Sequence, residues 1–580
     1  MRSNWRICVV WALLAATGAG AAQEPSRPSP GSPLDLLAVP ADGVAYYERL
    51  SKATALYESG QWAAAGPLLE QLVRDYPRDA QTWVMLGRTQ FQLGKPQQAA
   101  IANRQAGERL GWDLGTPLGY RLAMNQFAAG DKRAGMQTLR WMIFDQHGFW
   151  RSELFDRPEF AALRTDPAFL ALVGKPDTSG WTREHGWRHD IDFLVEEVKR
   201  VNPVYRDRPL PAELLQRQAQ LKAQVSILSD DALFFGMKRM LAPLQQGHVF
   251  LFSYPGNRYL PVRFYAFPEG LHIVEASNAE QALVGARVLR IGTLTAEEAL
   301  QRLAASQSMD GPMESLWGVS MLAETANLRG MGAIDAGDPV TLTVQTADGK
   351  TRTVALGTSN QAPTERQDRL VAPRGVQPPL FLSQLQRTFW TQPMPEAAAL
   401  YVQVNNLLDQ EDQTLAQFGK TLWTRLQDDD PANLILDLRH NNGGNTLLYP
   451  QLLRTLVAFT RQEGKRFYVL IGRRTYSAAG NFVTDLERLT DPVFVGEATS
   501  ECCNLHGDPI SVRLPYSGVE GELTAVKWNL STPFDGRREL SPEVPVQLTA
   551  EAYFAGRDPV MEAVLRMIDR TAAAAIPPTP

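Results

Sequence analysis

A serine at the predicted start of a helix has the chemistry of a nucleophile. Ser477 lies in the stretch "GRRTYSAAGNF", residues 472–482, after an apolar stretch, "RFYVLIG", that predicts a strand. The N–H group of Ala478 would lie at the positive end of the helix, where it could stabilise a developing negative charge. A serine that only caps the helix explains the same stretch, so acyl transfer also requires a base and a second oxyanion donor.

A glycine-rich loop is the candidate for that second donor. The stretch "LILDLRHNNGGNT" runs from an apolar predicted strand into Asn441 and the pair Gly443-Gly444. Glycine lets the backbone approach a ligand closely, and successive N–H groups can face an anion. The pair alone is equally typical of a tight turn. Asp437 and Arg439, at the end of the strand, are predicted to form an ion pair rather than to take part in catalysis.

Three motifs in this order, "NLILDLRHNNGG", "GRRTYSAAGNF" and "PVFVGEAT", resemble the catalytic core of the tail-specific, or C-terminal-processing, serine proteases. That family carries a PDZ-like module before the core and a helical segment ahead of it, so the resemblance covers residues 185–550. It implies Ser477 as the nucleophile, with the backbone of Ala478 and of the glycines, Gly443 and Gly444, as oxyanion donors. It implies no cofactor.

The identity of the base distinguishes two branches of this family. The Ser/Lys branch has a lysine in a "GEKTFGKG"-like stretch after the nucleophile, whereas this chain reads "GEATSECCNLHG" and has Cys502 25 residues past Ser477. The resemblance is therefore to the tricorn-like branch, which uses an upstream histidine with a glutamate near the end of the core.

His248 is the candidate base. It follows a predicted helix in "LAPLQQGHVFLF", where the family has an Asp-Gly-His-Thr-like stretch, although Gln246 and Val249 replace the acid and the threonine. A lone histidine before a strand is more often structural. In the context of Ser477 it is predicted to accept the serine proton, because a neutral imidazole can do so near pH 7.

The third catalytic residue is predicted from the end of the core. The stretch "DGRRELSPEVPVQL" resembles the family's ending there and offers Glu539, whose carboxylate would orient the imidazole. A surface acid in a loop explains Glu539 equally well. Asp535 and Glu543 are the competing candidates.

The cysteine pair Cys502-Cys503 and the nearby His506 form the other notable cluster. A zinc site normally needs four ligands at wider spacing, and Glu497 and Glu501 disfavour a reactive thiol, so we predict neither metal nor thiol chemistry. The cysteines are expected to shape the rim of the cleft, as a vicinal disulfide if they are oxidised. Four residues are predicted substrate contacts: Asn441, His440, Tyr476 and His506.

Helical repeats are predicted to precede these elements, over residues 44–150. Gly60, Gly94 and Gly130 recur at spacings of 34 and 36 residues, each between two amphipathic stretches. Trp83 and Ala99 fit the pattern of small and large residues in tetratricopeptide repeats, which commonly offer a surface to a protein partner. A generic helical bundle is the alternative.

The remainder of the chain predicts a multidomain protein. We expect a helical segment that runs into the first strands over 180–265, a PDZ-like β-rich module over 266–357, a crossing segment over 359–396 and an α/β protease core over 397–572. In the core, near-continuous apolar strands alternate with amphipathic helices, which is typical of a buried, largely parallel sheet of the ClpP/crotonase-like kind. Reactive groups in such sheets lie on loops at the strand ends.

Composition and the N-terminal segment indicate the class of protein. The net charge is −5, from 58 basic and 63 acidic residues, without the basic stripe that nucleic-acid binding needs. Residues 1–22 have the charged, apolar, small-residue order of a signal peptide, and 23–43 read as a Pro/Ser-rich linker. We therefore expect an exported, periplasmic or secreted protein without a membrane span in its mature chain.

These observations predict an exported serine peptidase that acts on extended or unfolded polypeptides, with Ser477 as nucleophile and His248 as base. The alternative is a catalytically inactive protein that binds peptides or acts as a scaffold on the same fold, since fold does not fix function. The distance between His248 and Ser477 distinguishes the two.

Overall fold

The computed structural model describes residues 43–110, 117–145, 151–310, 319–335, 337, 339–361 and 369–574. They form two compact units that divide between residues 138 and 139. The predicted signal peptide, nearly all of the predicted linker and part of the crossing segment lie outside the described residues. Within the described part of the chain, no helix combines the length and the apolar character needed to cross a bilayer.

Paired helices build the first unit. Gly60, Gly94 and Gly130 follow the first, third and fifth helices with φ of 72°, 71° and 81°, so each ends a helix in the left-handed conformation that glycine tolerates best. Small buried residues such as Ala53, Ala65 and Ala102 allow neighbouring helices to approach closely. The helices are α1 (Gly43–Glu58), α2 (Trp62–Asp75), α3 (Ala80–Gln92), α4 (Pro96–Leu110), α5 (Pro117–Ala128) and α6 (Lys132–Arg140).

The second unit begins with the predicted helical segment. Two of its helices start at side-chain caps, since Thr182 Oγ1 accepts the His185 N–H group and Ser229 Oγ accepts that of Ala232. Its apolar faces pack around Trp187 and Phe234. The helices are α7 (Pro167–Leu172), α8 (Arg183–Val201), α9 (Ala212–Ala223) and α10 (Asp230–Leu241).

An antiparallel sheet with two helices follows, as expected for the PDZ-like module. Its last two strands form a hairpin around Asp348-Gly349 and pair from Val340↔Leu356 to Gln345↔Thr351. The strands are β2 (Val262–Phe267), β3 (Gly270–Ala276), β4 (Arg287–Ile291), β5 (Leu294–Thr295), β6 (Val340–Gln345) and β7 (Thr351–Leu356), and the helices are α11 (Ala296–Ala304) and α12 (Thr325–Gly330).

The core is a six-stranded sheet that is parallel except at one edge, as predicted. Its order is β17-β12-β11-β10-β9-β8, and only the pair of β8 and β9 is antiparallel. The strands are β8 (Phe389–Met394), β9 (Ala399–Val404), β10 (Asn433–Asp437), β11 (Arg466–Ile471), β12 (Val493–Gly496) and β17 (Val544–Pro545). The helices are α13 (Leu415–Asp429), α14 (Pro450–Thr460), α15 (Ala478–Leu489), α16 (Ala550–Phe554) and α17 (Pro559–Ala574).

A small antiparallel sheet joins the beginning and the end of this unit. Strand β1 (Phe250–Ser253) pairs with β15 (Glu520–Leu523), which also pairs with β14 (Ile510–Arg513). Beside it, β13 (His506–Gly507) pairs with β16 (Val526–Lys527). The segment before β1 is thereby held against loops of the core that are more than 200 residues away, as the Phe250↔Glu522 pair illustrates.

Candidate active site

Ser477 occupies a strained turn between β11 and α15. Its backbone has φ 56° and ψ −126°, a region that residues other than glycine rarely adopt and that costs on the order of 1–3 kcal/mol. A hydrogen bond stabilises this strained backbone, because the Ser477 N–H group donates to Glu501 Oε2 over 2.9 Å. A non-glycine residue kept in such a conformation at a strand-to-helix turn is typical of an exposed nucleophile.

The His248 ring lies within hydrogen-bonding reach of that serine. Its Nε2 is 3.0 Å from Ser477 Oγ, across 229 residues of sequence. The connection between α10 and β1 that carries the histidine is anchored through Gln246, whose side chain accepts from Asn202 Nδ2 over 2.5 Å. Tyr476 covers one face of the imidazole, with 4.6 Å between ring centroids. The structure therefore brings together the predicted nucleophile and base.

The carboxylate beside the imidazole belongs to Glu501, not to Glu539. Glu501 Oε1 lies 3.1 Å from His248 Nδ1, somewhat off the direction of the ring N–H group, and the Glu501 side chain is fully buried. Its other oxygen holds Ser477, so one carboxyl group contacts both partners.

The prediction of Glu539 is corrected, because among the described residues its carboxylate accepts a hydrogen bond from Ser541 Oγ, over 3.5 Å, and none from His248. The two competitors are also engaged elsewhere: Asp535 pairs with Arg537 over 2.8 Å, and Glu543 Oε2 accepts from the Phe494 N–H group over 2.7 Å. Sequence reasoning weighed Glu501 only as a neighbour of the cysteines. Its position 24 residues past Ser477, next to the family's lysine position, is the signal that could have found it.

Asp310 is a second buried acid that the sequence did not indicate. Its Oδ2 accepts from the Gly247 N–H group over 2.6 Å, and its Oδ1 lies 3.5 Å from His506 Nδ1. The Asp310 carboxyl group also lies within hydrogen-bonding reach of Glu501. A Cβ at Gly247 would lie 2.7 Å from Glu501 Oε1, so a side chain at this position would displace that carboxyl group.

Burial and charge act against each other in this cluster. Burial lowers the pKa of His248, but Glu501, Asp310 and Glu522 together more than offset it, so the pKa lies above its usual value. Burial raises the pKa of Glu501, and Asp310 adds to that effect. Burial raises the pKa of Asp310, but hydrogen bonds with His506, Glu501 and Gly247 together outweigh it, so the pKa is lowered. His248 and Glu501 thus hold a proton more readily than they would in water, whereas Asp310 holds one less readily.

The backbone donors are only partly arranged as predicted. Gly443 abuts the serine, since a Cβ there would lie 2.7 Å from Ser477 Cβ and 3.0 Å from Ala478 N. Its N–H group, however, donates to Asn441 Oδ1 over 3.0 Å. Gly444 lies against Leu407 instead. Among the described residues, no acceptor engages the Ala478 N–H group, which is at the first position of α15.

Two of the four predicted substrate contacts prove to be internal. Asn441 is fully buried and is occupied by Gly443, and His440 is buried and stacked on Phe381 with 5.7 Å between centroids. The loop after β10 turns both side chains into the protein, and a substrate contact at either residue stays a prediction. Tyr476 borders the site beside His248, and His506 contacts Asp310.

The remaining sequence-based expectations concern the cysteines and the strand end. Cys502 and Cys503 form a vicinal disulfide directly after Glu501. Asp437 and Arg439 form the predicted ion pair, 2.6 Å apart, and Asp558 joins it at 2.8 Å. No group of three or more potential metal ligands occurs within the described residues.

Comparison with known proteins bears on both units. Residues 50–109 match the tetratricopeptide repeat family. The chain matches no curated protein. Among solved structures, a serine-to-alanine mutant of CPAF is similar with a TM-score of 0.51 at 13% identity, and the match covers 67% of this chain and 98% of that one.

Two further solved structures match with lower scores. The photosystem II D1 C-terminal processing protease is 15% identical with a TM-score of 0.32, over 66% of this chain and 97% of its own. The tricorn protease is 11% identical with a TM-score of 0.32, over 67% of this chain and 37% of its own. At such identities a likeness concerns the fold alone. The chain thus combines tetratricopeptide repeats over residues 50–109 with a larger unit that has the fold of CPAF.

Proposed function

We propose that the protein is a serine peptidase that hydrolyses peptide bonds of extended or unfolded polypeptides. The observation that carries the proposal is the contact of 3.0 Å between Ser477 Oγ and His248 Nε2, on a backbone strained at the serine. Glu501 on the other ring nitrogen completes the arrangement of nucleophile, base and orienting acid that acyl transfer uses.

In the proposed reaction Ser477 Oγ attacks the peptide carbonyl carbon while His248 Nε2 accepts the hydroxyl proton. The tetrahedral intermediate collapses, the C–N bond breaks and His248 returns the proton to the leaving amine. Water then attacks the acyl-enzyme with the same base, which releases the carboxylic acid and restores the serine. Glu501 stabilises the imidazolium that forms in both halves of the reaction.

The oxyanion is assigned to the Ala478 N–H group and to one donor of the glycine loop. Ala478 lies at a helix N-terminus, where the backbone favours negative charge. We propose that a bound carbonyl displaces Asn441 Oδ1 as the acceptor for the Gly443 N–H group, since that loop already abuts Ser477. The site then becomes complete only with substrate bound.

Two measurements test this proposal. The first is mass spectrometry of a peptide mixture after incubation with the protein, Ser477→Ala and His248→Ala, beside the exposed controls Ser541→Ala and His185→Ala. Cleavage is expected in the unaltered protein and both controls and is expected to be lost in the two site variants. The second is covalent labelling by a fluorophosphonate, which requires an activated serine but no knowledge of the substrate.

A folded protein that neither cleaves peptides nor takes up the label at Ser477 would contradict the proposal. The peptide-binding or scaffold alternative would then replace it. Loss of labelling in Ser477→Ala with full labelling in His248→Ala would mean that Ser477 is the nucleophile and that His248 is not its base.

Export and protein binding belong to the same proposal. The charged, apolar and small-residue order of residues 1–22 supports export to the periplasm or the exterior. The tetratricopeptide match over residues 50–109 supports a protein partner, because stacked helix pairs offer an extended surface. Fractionation of cells that express the full chain, followed by N-terminal sequencing, tests the first of these.

A further inference from the structure

An apolar cavity borders the reaction centre and is not used by the chemistry described above. It has a volume of about 310 Å³, at the lower end of the size of small-molecule pockets, ~300–1,000 Å³. Gly247 and Tyr476 form one wall, and these residues directly precede His248 and Ser477. A group that enters the cavity therefore lies beside the bond that the serine would attack.

Strand β1 supplies the aromatic wall of this cavity. Successive side chains of a strand point to opposite faces, so Leu251 is fully buried in the core of the helical segment while Phe250 and Phe252 turn to the cavity. The two rings lie 5.9 Å apart. Phe252 keeps 42% of its surface exposed, which is costly for a phenylalanine unless something covers it.

Met309 and Met321 form the opposite wall. Met309 is 7% exposed and lies just beyond α11, and Met321 lies in the turn before α12. Methionine is flexible and polarisable, so such a wall adapts to apolar side chains of different shape.

Two of the polar side chains that line the cavity are already hydrogen-bonded within the protein. Ser308 Oγ donates to the Gln246 carbonyl and accepts its N–H group, both over 2.9 Å. Gln307 Nε2 donates to Ser306 Oγ over 3.0 Å. A polar ligand group would have to break these bonds, which leaves buried groups unpaired at a cost.

The one acid of the lining is also compensated. Glu324 Oε2 accepts from Asn327 Nδ2 over 2.8 Å and from Asn257 Nδ2 over 3.3 Å. Burial raises the pKa of Glu324 to about 7, although the nearby ammonium group of Lys238 opposes the shift. Lys238 is itself buried and bonded to Asn327 Oδ1 over 3.0 Å. The cavity therefore offers no uncompensated charge to a basic side chain.

We propose that this cavity is the side-chain subsite next to the scissile bond and that it takes a large uncharged apolar side chain, such as leucine, methionine or phenylalanine. The inference rests on the proposed peptidase function, which it deepens by naming a substrate class. Neighbouring side chains alternate along an extended peptide, so only one of the two residues flanking the bond is selected.

The test compares peptides that differ only at the two residues flanking the cleaved bond, with leucine, alanine, lysine or glutamate in turn. At one of the two positions, kcat/KM for leucine is expected to exceed that for alanine or lysine by at least ~10-fold, the usual discrimination of an apolar pocket. Phe252→Ala is expected to reduce the leucine-to-alanine ratio several-fold. Ile227→Ala, at a residue 78% exposed that does not line the cavity, is the matched control.

A binding measurement keeps the inference testable if no peptide is cleaved. In the Ser477→Ala protein, fluorescence anisotropy with dye-labelled leucine and lysine peptides is expected to give tighter binding of leucine, and Phe252→Ala is expected to abolish the difference. Failure of the proposed function would appear as absent cleavage and labelling, independently of this preference.

Several results would overturn the inference. One is cleavage without preference at either position, and another is a preference for lysine, which would mean that Glu324 faces the substrate. In the absence of cleavage, equal binding of the leucine and lysine peptides would have the same meaning. A Phe252→Ala variant that lowers activity equally towards all peptides would assign the ring a structural role only.

Discussion

Replacing Glu501 by glutamine tests the correction that the structure makes to the predicted catalytic residues. The substitution keeps the size of the side chain but removes the negative charge beside His248 Nδ1. An amide can also present its NH₂ group to the ring and favour the tautomer with the proton on Nε2, which cannot accept the serine proton. The matched variant is Glu539→Gln, at the position that sequence reasoning preferred.

The magnitude follows from the distance between the two charges. An imidazolium and a carboxylate 3.1 Å apart attract each other by ~5 kcal/mol at an effective dielectric constant of ~20. Above the pKa of His248 the resting imidazole is neutral, so the attraction arises only when His248 takes the serine proton and stabilises the transition state rather than the resting enzyme. Its loss corresponds to a decrease in kcat of ~10⁴-fold. Glu539→Gln is expected to stay within about two-fold of the unaltered protein, as surface substitutions do.

The assay is the initial rate of cleavage of one fluorogenic peptide from the mixture cut by the unaltered protein, together with the rate of fluorophosphonate labelling. Circular dichroism and thermal unfolding identify variants that fail to fold. Glu501 also holds the strained Ser477 N–H group, so a moderate loss of stability is expected with its replacement. The reasoning would be refuted if Glu501→Gln retained more than a tenth of the activity, or if Glu539→Gln lost as much as Glu501→Gln.

Further predictions concern the backbone and the protons of the site. Gly443→Ala is expected to lower kcat ~100-fold by displacing Ser477. Gly443 has φ 107°, and the new Cβ would lie 2.7 Å from Ser477 Cβ. The control is Gly464→Ala, at a glycine with φ 77° and open space around it, which should lose only stability. Because the pKa of His248 is raised, kcat/KM should fall with decreasing pH at a midpoint above pH 6.5. The raised pKa of His248 also stabilises the folded state below pH ~6.5, and this stabilisation is lost as pH rises through the pKa of the folded state. Denaturant titrations should therefore find His248→Gln more destabilising at pH 5 than at pH 9. Asp310→Asn is expected to move the acid limb of the pH profile to lower pH, because the aspartate charge helps to raise the pKa of His248. An unchanged acid limb would show that Asp310 does not influence that pKa.

Local patterns carried the prediction of the individual elements. Buried β9 and β10 read as continuous apolar stretches, and the helices between strands read as amphipathic, so a parallel sheet followed from periodicity. The glycines that end the repeat helices were identifiable because a residue in the left-handed conformation after a helix is usually glycine. Ser477 and His248 were identified from their flanking motifs.

The partners of these residues depended on contacts between distant segments. Glu501 had no local sign of catalysis, because nothing around "SECCNL" shows that the chain buries the carboxylate against His248. Asp310 reaches the site through a hydrogen bond from the Gly247 N–H group, which is 63 residues away in the sequence. His440 and Asn441 stood in the right loop, yet the turn after β10 directs both inward.

The sequence by itself determined which segments are helices or strands, where the chain turns and which serine and histidine are candidates, because backbone preference and amphipathic period are local properties. Only the tertiary structure decided which acid supports the base, which N–H groups remain free for an oxyanion and which apolar surfaces enclose a cavity. These depend on distances of a few ångströms between residues far apart in the chain, as between Ser477 and His248, and such distances leave no trace in local composition.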